Sequence, residues 1–285
     1  MRLEVRSALA LFVVLLGLTP VAPARAVVGS GDANWTLGGA PCRLIEVPAA
    51  DASAPPIGVG PCPGVRPGAI VRSDAGRCTF NFLFTGSDGA RYMGTAGHCI
   101  LGDSPTGGDV GEEVWAPGTG PEARDGAGNR VGEFAYAVLE DPKDFGLIRL
   151  DPGVDANPQM CVFGGPTGIN SDRPGLLAPV LLHHFGQGVG LGATVPGRSA
   201  AALGMPDPDH VYAEGIVVPG DSGSGIISAD GRAVGVIVTV GVHLASIGST
   251  GLDAGTVGVT RLAPQLERAE GVLGIDLTLE TAPLN

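Results

Sequence analysis

Positive charge is scarce in this sequence. Lys and Arg together number 17 against 29 Asp and Glu, which gives a formal net charge of −12 at pH 7. A surface of that sign repels phosphate backbones and anionic lipid headgroups. The charge therefore argues against nucleic-acid binding and against binding to an anionic membrane surface.

Long apolar runs are also lacking beyond the N-terminus, so no later segment is expected to span a bilayer. The one early run, Ala8 to Leu18, follows a basic stretch, ends in prolines and precedes Ala24-Arg25-Ala26. This order is typical of a cleaved secretory signal, whereas a membrane anchor would need a longer run. We predict that residues 1–26 are a signal peptide, that the mature chain is secreted and extracellular, and that it has no membrane partner after cleavage.

Helix-forming segments are few, whereas glycine (48) and proline (24) are abundant. They interrupt short apolar runs about every ten residues, which is the pattern of a sandwich or barrel. The exception is 261–271, which has helix formers, a proline in the first turn and Gly271 as a stop signal. The prediction is an all-β fold with one C-terminal helix.

The chain divides into four regions by composition. After the signal peptide, residues 27–67 are irregular and include an Ala/Pro-rich stretch, so we interpret them as an N-terminal arm or propeptide. About six strands then precede a connection near residues 152–158, and about six follow it. We predict two six-stranded antiparallel β-barrels, an N-terminal one over 68–155 and a C-terminal one with the helix over 156–285.

The most informative short motif is Gly220-Asp221-Ser222-Gly223, which precedes the apolar Ile226. A serine between glycines can be displayed on a tight turn, because glycine lets the backbone turn sharply and approach a substrate closely. A nucleophilic serine also needs a base and N–H donors for the developing oxyanion. A four-residue motif alone is weak, so the base has to be found elsewhere in the chain.

Of the five histidines, only His98 lies in a context that suggests a catalytic base. Thr95-Ala96-Gly97-His98-Cys99 follows a predicted strand, and Cys78 begins the preceding strand of a predicted hairpin, Cys78–Phe84 with Arg91–Thr95. A structural histidine in a turn is the competing interpretation. His183 and His184 are adjacent in a predicted strand and would point to opposite faces, so we predict no metal site and no cofactor.

These two motifs together resemble the chymotrypsin/trypsin-like serine protease family, most closely its secreted bacterial branch. The resemblance spans from about residue 68 to about residue 272. It implies a catalytic triad of His98, Asp144 and Ser222, since Asp144 heads the apolar strand that follows His98. Asp141 and Asp151 are rival acids. The resemblance also implies a disulfide between Cys78 and Cys99 and an oxyanion hole made by the N–H groups of Gly220 and Ser222.

The resemblance also implies where the primary substrate pocket lies. The residue six positions before the serine is Ile216, which implies an apolar base for the primary pocket, although Glu214 could enter it instead. Thr239, Val240 and Gly241 would form a pocket wall and the strand edge that binds an extended peptide. The competing interpretation is that these residues only pack within strands and have no role in substrate binding.

Activation departs from the animal members of the family, in which a new N-terminus pairs with the aspartate before the serine. Here the corresponding Asp221 has no suitably placed terminus, so we expect an internal partner such as an arginine. Exported cysteines are mostly disulfide-bonded, and the total of five leaves one unpaired or bonded to another molecule. Cys161 could pair with Cys42 or Cys62, or those two could pair with each other.

The sequence therefore predicts a monomeric serine endopeptidase that cleaves polypeptides through an acyl-enzyme and prefers an apolar residue before the cleaved bond. Two alternatives stay open. One is a catalytically silent binding protein on the same fold, and the other is an esterase or narrow processing enzyme that uses the same site.

Overall fold

The structure is a computed structural model. It describes the strands at 34–37 and 40–43 and then residues 62–102, 110–140, 143–172, 180–188, 197–240 and 256–285, all within one compact unit, Asp32–Asn285. The predicted signal peptide and Gly241 lie outside the described residues. In the described ranges, no helix combines the length and apolar character needed to cross a membrane.

The described chain is nearly all β. Its elements, in order, are β1 Asn34–Leu37, β2 Ala40–Arg43, β3 Ile70–Ser73, β4 Gly76–Thr79, β5 Leu83–Gly86, β6 Arg91–Thr95, α1 His98–Leu101, β7 Gly111–Val114, β8 Glu122–Asp125, β9 Arg130–Glu140, β10 Lys143–Leu150, β11 Gly168–Ile169, β12 Val180–Phe185, β13 Gly197–Asp207, β14 His210–Gly215, β15 Gly225–Ser228, β16 Arg232–Val240, β17 Thr256–Arg261, α2 Leu262–Leu273 and β18 Leu277–Leu279.

The C-terminal sheet closes into a six-stranded antiparallel barrel. Its order is β16-β15-β12-β13-β14-β17, and β17 pairs back onto β16. The short β11 adds to β16 in parallel. Small and branched side chains such as Ala202, Val211 and Ile226 fill the interior. Closure leaves these six strands without a free edge, which is how small barrels avoid unpaired backbone groups.

The N-terminal sheet forms a half-barrel of nine strands, in the order β18-β5-β6-β10-β9-β8-β3-β4 with β7 paired to β9. The long β9 can pair with β10 on one side and with both β7 and β8 on the other. Phenylalanines form much of its core, including Phe80, Phe82 and Phe134. The predicted all-β class with a C-terminal helix is confirmed. Of the two predicted six-stranded barrels, the C-terminal one closes with six strands, whereas the N-terminal one is a half-barrel of nine strands.

The predicted strand over Cys78–Phe84 is divided in the structure. β4 ends at Thr79 and β5 begins at Leu83, because the chain changes pairing partner between them. The N–H of Phe80 donates to the carbonyl of Ala69 at 2.8 Å, whereas that of Asn81 donates to Gly94 at 2.8 Å. The hairpin of β5 and β6 is present as predicted.

Two predictions about the C-terminus were wrong in detail. Gly271 does not end the helix, which continues to Leu273 and stops at Gly274, where φ is 69° and the N–H donates to Glu270. Beyond it, β18 pairs with β5, so residues 277–279 belong to the N-terminal sheet and not to the C-terminal barrel. The edge of β5 explains this return, since it offers unpaired backbone groups to a further strand.

Two disulfides join distant parts of the described chain, Cys78 to Cys99 and Cys62 to Cys161. The second decides between the partners considered for Cys161. Next to it, Val65 forms a β-bridge with Ala156. The last residues of the predicted N-terminal arm are therefore fixed to the body of the protein.

Candidate active site

His98 and Asp144 form the best-defined polar contact of the candidate site. His98 is the first residue of α1, and Asp144 is the second residue of β10. One carboxylate oxygen lies 2.6 Å from the ring Nδ1 of His98, and the other accepts the backbone N–H of His98 at 2.9 Å. Asp144 is only 6% exposed. Because one carboxylate holds both the ring and the backbone of His98, the orientation of the imidazole is fixed.

The rival acid Asp151 is engaged elsewhere. It accepts from Arg130 at 2.8 Å, in an exposed pair on the outside of the sheet. Asp141 lies outside the described residues. Asp144 is thus the acid that the structure brings to His98.

The small residues before His98 are required by close packing. A Cβ at Gly97 would lie 2.0 Å from the carbonyl oxygen of Val138, so no larger residue fits there. The hydroxyl of Thr95 donates to the carbonyl of Thr79 at 3.0 Å. With the Cys78–Cys99 disulfide on the other side, these contacts hold α1 at a fixed position on the sheet.

The Ser222 turn is held between the two sheets. The carbonyl of Ser222 accepts from the N–H of Thr79 at 2.8 Å, and the N–H of Gly223 donates to Ile237 at 2.7 Å. Gly223 has φ of 87°, and a Cβ there would lie 2.4 Å from the carbonyl oxygen of Thr79. Glycine is needed here both for the backbone conformation and for the close approach. The serine motif and the histidine motif are therefore packed directly against each other.

His98 and Ser222 open onto the same cavity, which has a volume of about 200 Å³. Its lining residues come from the β3–β4 hairpin, from the start of α1 and from the turn before β15. They are Ala75, Gly76, Arg77, Cys78, His98, Cys99, Pro219, Gly220 and Ser222. The candidate nucleophile Ser222, the candidate base His98 and Gly220 thus line one cavity.

Thr79 is a positioning residue that sequence reasoning missed. Its hydroxyl donates to the carbonyl of Gly220 at 2.8 Å and accepts the N–H of Gln187 at 3.2 Å. Gly220 itself has φ of 97°. By holding that carbonyl, Thr79 orients the loop that carries one of the two candidate oxyanion donors. The only signal in the sequence was its position directly after Cys78.

The expected internal partner of Asp221 is Arg198, on β13. Its Nη2 lies 2.6 Å from Oδ1 of Asp221, and both side chains are buried. The N–H groups of Gly188 and Val218 donate to the two oxygens of the same carboxylate, each at 2.8 Å. A buried charge of this kind is stable only when it is paired and hydrogen-bonded. Asp221 therefore anchors the turn that presents Ser222.

His184 lies fully buried beside this ion pair. Burial first, and the neighbouring Arg198 charge second, lower its pKa to about 4, with Asp221 acting in the opposite direction. The adjacent His183 instead lies 2.8 Å from the hydroxyl of Ser199 and stacks on Phe163. The two rings thus have different surroundings, and His184 is neutral near pH 7.

The predicted pocket residues are described only in part. The side chain of Ile216 is 56% exposed, and its carbonyl accepts from Arg198 at 3.4 Å. Thr239 and Val240 lie in β16, where they pair with Gly258 and Val257. Ile216 is consequently available to contact a substrate.

The sulfur atoms of Cys78 and Cys99 lie within 4.8 Å of a ring nitrogen of His98. Such a trio could resemble a metal site. Both sulfurs are in the disulfide, however, and a disulfide offers no thiolate to a metal ion.

No family model matches the sequence, and no curated protein matches it. Several solved bacterial protease structures are similar. Cellulomonas bogoriensis chymotrypsin has a TM-score of 0.49 at 18% identity, with 76% of this chain and 98% of that one covered. Thermobifida fusca Protease A gives 0.49 at 17% identity, with 76% and 99% covered. Nocardiopsis Protease gives 0.49 at 18% identity, with 75% and 98% covered.

Proposed function

We propose that the protein is a serine endopeptidase with a triad of His98, Asp144 and Ser222. The observation that carries this proposal is the fixed His98–Asp144 pair opening onto the same cavity as Ser222. An imidazole held by a buried carboxylate at Nδ1 can accept a proton at Nε2, which is what a serine nucleophile requires.

Each residue has a defined role in this proposal. Ser222 Oγ attacks the carbonyl carbon of the peptide bond while His98 takes its proton. His98 returns that proton to the leaving amine, and water then hydrolyses the acyl-enzyme by the reverse sequence. Asp144 fixes the tautomer and stabilises the transient imidazolium. The N–H groups of Gly220 and Ser222 bind the oxyanion, and loss of one such donor typically costs about 100- to 1000-fold in rate.

A fluorophosphonate probe tests this mechanism. We expect the folded, disulfide-bonded wild type to be labelled at Ser222, and Ser222→Ala and His98→Ala to lose labelling. Peptide cleavage should disappear in the same variants. Asp151→Asn, which alters the rival acid on the outside of the sheet, is the matched control and should keep both activities. An unlabelled wild type would exclude a serine hydrolase and favour the silent binding protein. A wild type that is labelled and hydrolyses an ester substrate, but cleaves no peptide, would favour the esterase.

We also propose that the substrate residue before the cleaved bond is apolar. Its side chain would cover the exposed Ile216, with Thr239, Val240 and Gly241 forming the wall and the strand edge. The proposal is supported by the exposure of an apolar side chain six residues before Ser222. A peptide library measures it directly, and cleavage mainly after Lys or Arg would contradict it.

We propose further that the enzyme acts as an extracellular monomer after removal of residues 1–26, with 27–67 as arm or propeptide. The N-terminal half-barrel would then comprise 68–155 together with β18, and the C-terminal barrel with its helix would run from residue 156 to the end of α2. The two disulfides support export, because such bonds persist in oxidising compartments. Mass analysis of the protein recovered from culture medium would give the mature N-terminus, and light scattering would give the oligomeric state.

A further inference from the structure

The candidate active-site cavity contains an arginine to which the proposed mechanism assigns no role. Arg77, on β4, lines the cavity together with His98 and Ser222 and is half-buried. Its Nη2 donates to the carbonyl of Gln187, which is uncharged. Its Nε is buried and makes no hydrogen bond to the described residues. Among those residues, no carboxylate lies within ion-pair distance of its guanidinium.

The positive charge of the Arg77 guanidinium is poorly balanced by nearby negative charge. Burial and the neighbouring charge of Arg72 lower the pKa of Arg77, whereas the charge of Asp221 acts in the opposite direction. Asp221 is already bound to Arg198 at 2.6 Å. Arginine nevertheless stays protonated in proteins, so the cavity holds a positive charge that has no counter-ion of its own among the described residues.

Arg77 is also one end of a row of arginines. In the strand register it lies opposite Arg72, which in turn lies opposite Arg124 on β8. Directly opposite residues share one face of a sheet, so the row runs across β4, β3 and β8. Arg124, at the far end, is neutralised by Glu122. The row therefore places three of the chain's 17 basic residues side by side, with Arg77 at the end that lines the cavity.

We propose that Arg77 binds a carboxylate of the substrate, namely an acidic side chain in the first or second residue after the cleaved bond. This inference rests on the proposed peptidase function. A guanidinium matches a carboxylate in geometry and charge, and it binds it by charge-assisted hydrogen bonds. The ligand class is therefore a polypeptide with Asp or Glu just beyond the cleavage point.

The position of the cavity assigns Arg77 to the leaving segment. His98 lines the cavity and, in the proposed mechanism, protonates the leaving amine. Ile216, which we propose to contact the acyl segment, is not among the described lining residues of this cavity. The substrate chain beyond the cleaved bond is accordingly the part that would enter the space beside Arg77.

Internally quenched peptides that differ only at these two positions test the inference. Each position carries Glu, Gln or Lys in turn, and kcat/KM is measured for every peptide. We expect the wild type to prefer Glu over Gln by about 10-fold at one of the two positions, as for a charge-assisted contact. The ratio of kcat/KM for the Glu peptide to that for the Gln peptide should fall to about 1 in Arg77→Gln. It should be reduced but stay above 1 in Arg77→Lys. In Arg77→Glu, the Lys peptide should become the preferred substrate. Because the ratio compares substrates within one variant, it does not depend on the absolute rate that each variant keeps.

Arg124→Gln is the matched control, since it removes the far end of the row and should keep the preference. A wild type that cleaves the Glu and Gln peptides equally would overturn the inference and leave the peptidase function standing. A preference for a free C-terminal carboxylate over its amide, without any side-chain preference, would also overturn it. A wild type that neither cleaves peptides nor reacts with fluorophosphonate would overturn the proposed function and this inference together.

Discussion

At the scale of single residues, Thr79 joins the two halves of the candidate site. Its backbone N–H binds the carbonyl of Ser222, its own carbonyl accepts from Thr95, and its hydroxyl binds Gly220. Ser222 and Gly220 lie in the serine turn, whereas Thr95 leads into the histidine motif. The relative position of the candidate nucleophile and the candidate base therefore depends on the side chain and both backbone groups of one residue that has no chemical role of its own in the proposal.

His184 gives a prediction about pH at the same scale. Its pKa in the folded protein, about 4, lies below the usual 6.5, mainly because it is buried. The unfolded chain therefore binds a proton first as the pH falls, so the stability from neutral His184 is complete above pH 6.5 and is lost towards pH 4. At about 1.36 kcal/mol for each pH unit, this loss amounts to about 3 kcal/mol over the whole window.

Urea unfolding of wild type and His184→Phe at several pH values measures this effect. Between pH 7 and pH 5, the free energy of unfolding of the wild type should fall by about 2 kcal/mol more than that of the variant. The comparison uses the difference in slope, so a uniform change in stability caused by the substitution does not matter. Parallel curves for the two proteins would contradict the assignment.

At the scale of elements, the two disulfides should differ in what they stabilise. Cys62–Cys161 spans 99 residues of sequence and Cys78–Cys99 spans 21. Loop entropy predicts that replacing both cysteines by alanine costs about 5 kcal/mol for the first and about 3 kcal/mol for the second. Fluorophosphonate labelling should instead fall more without Cys78–Cys99 than without Cys62–Cys161, because Cys99 directly follows His98. A larger loss of labelling without Cys62–Cys161 would show that the Cys78–Cys99 disulfide does not position His98.

The elements also show which features a sequence can predict here. Hairpin β5–β6, helix α2 and the dispositions of His98 and Ser222 follow from local signals such as turn residues, caps and small residues beside a strand. The division of Cys78–Phe84 does not, because Asn81 pairs with Gly94 only once the sheet has formed. Arg198 likewise could not be selected among the arginines from sequence, since its contact with Asp221 depends on the closure of a barrel. Local signals thus indicate the candidate reacting groups, whereas the contacts that support them depend on long-range pairing.

At the scale of the whole molecule, the C-terminal segment connects the two sheets. After α2, Leu277–Leu279 pair with the edge of β5, and Glu280 forms an ion pair with Arg91 at 2.9 Å. The segment then reaches the connection between the sheets, where Pro283 accepts the N–H of Gly165 at 2.8 Å and Asn285 donates its N–H to Phe163 at 3.1 Å. The chain thus covers an edge of the N-terminal sheet and contacts the start of the C-terminal half.

Removal of residues 277–285 should therefore affect the molecule as a whole. We expect the free energy of unfolding to fall by at least about 2 kcal/mol, the contribution of burying one leucine such as Leu277. The uncovered edge of β5 should also promote association, because it exposes unpaired backbone groups. Urea unfolding and light scattering over a range of concentrations measure the two effects. Glu280→Gln, which keeps β18 but removes the ion pair, should stay monodisperse, and a truncated protein that is equally monodisperse and stable would contradict this role of the C-terminal segment.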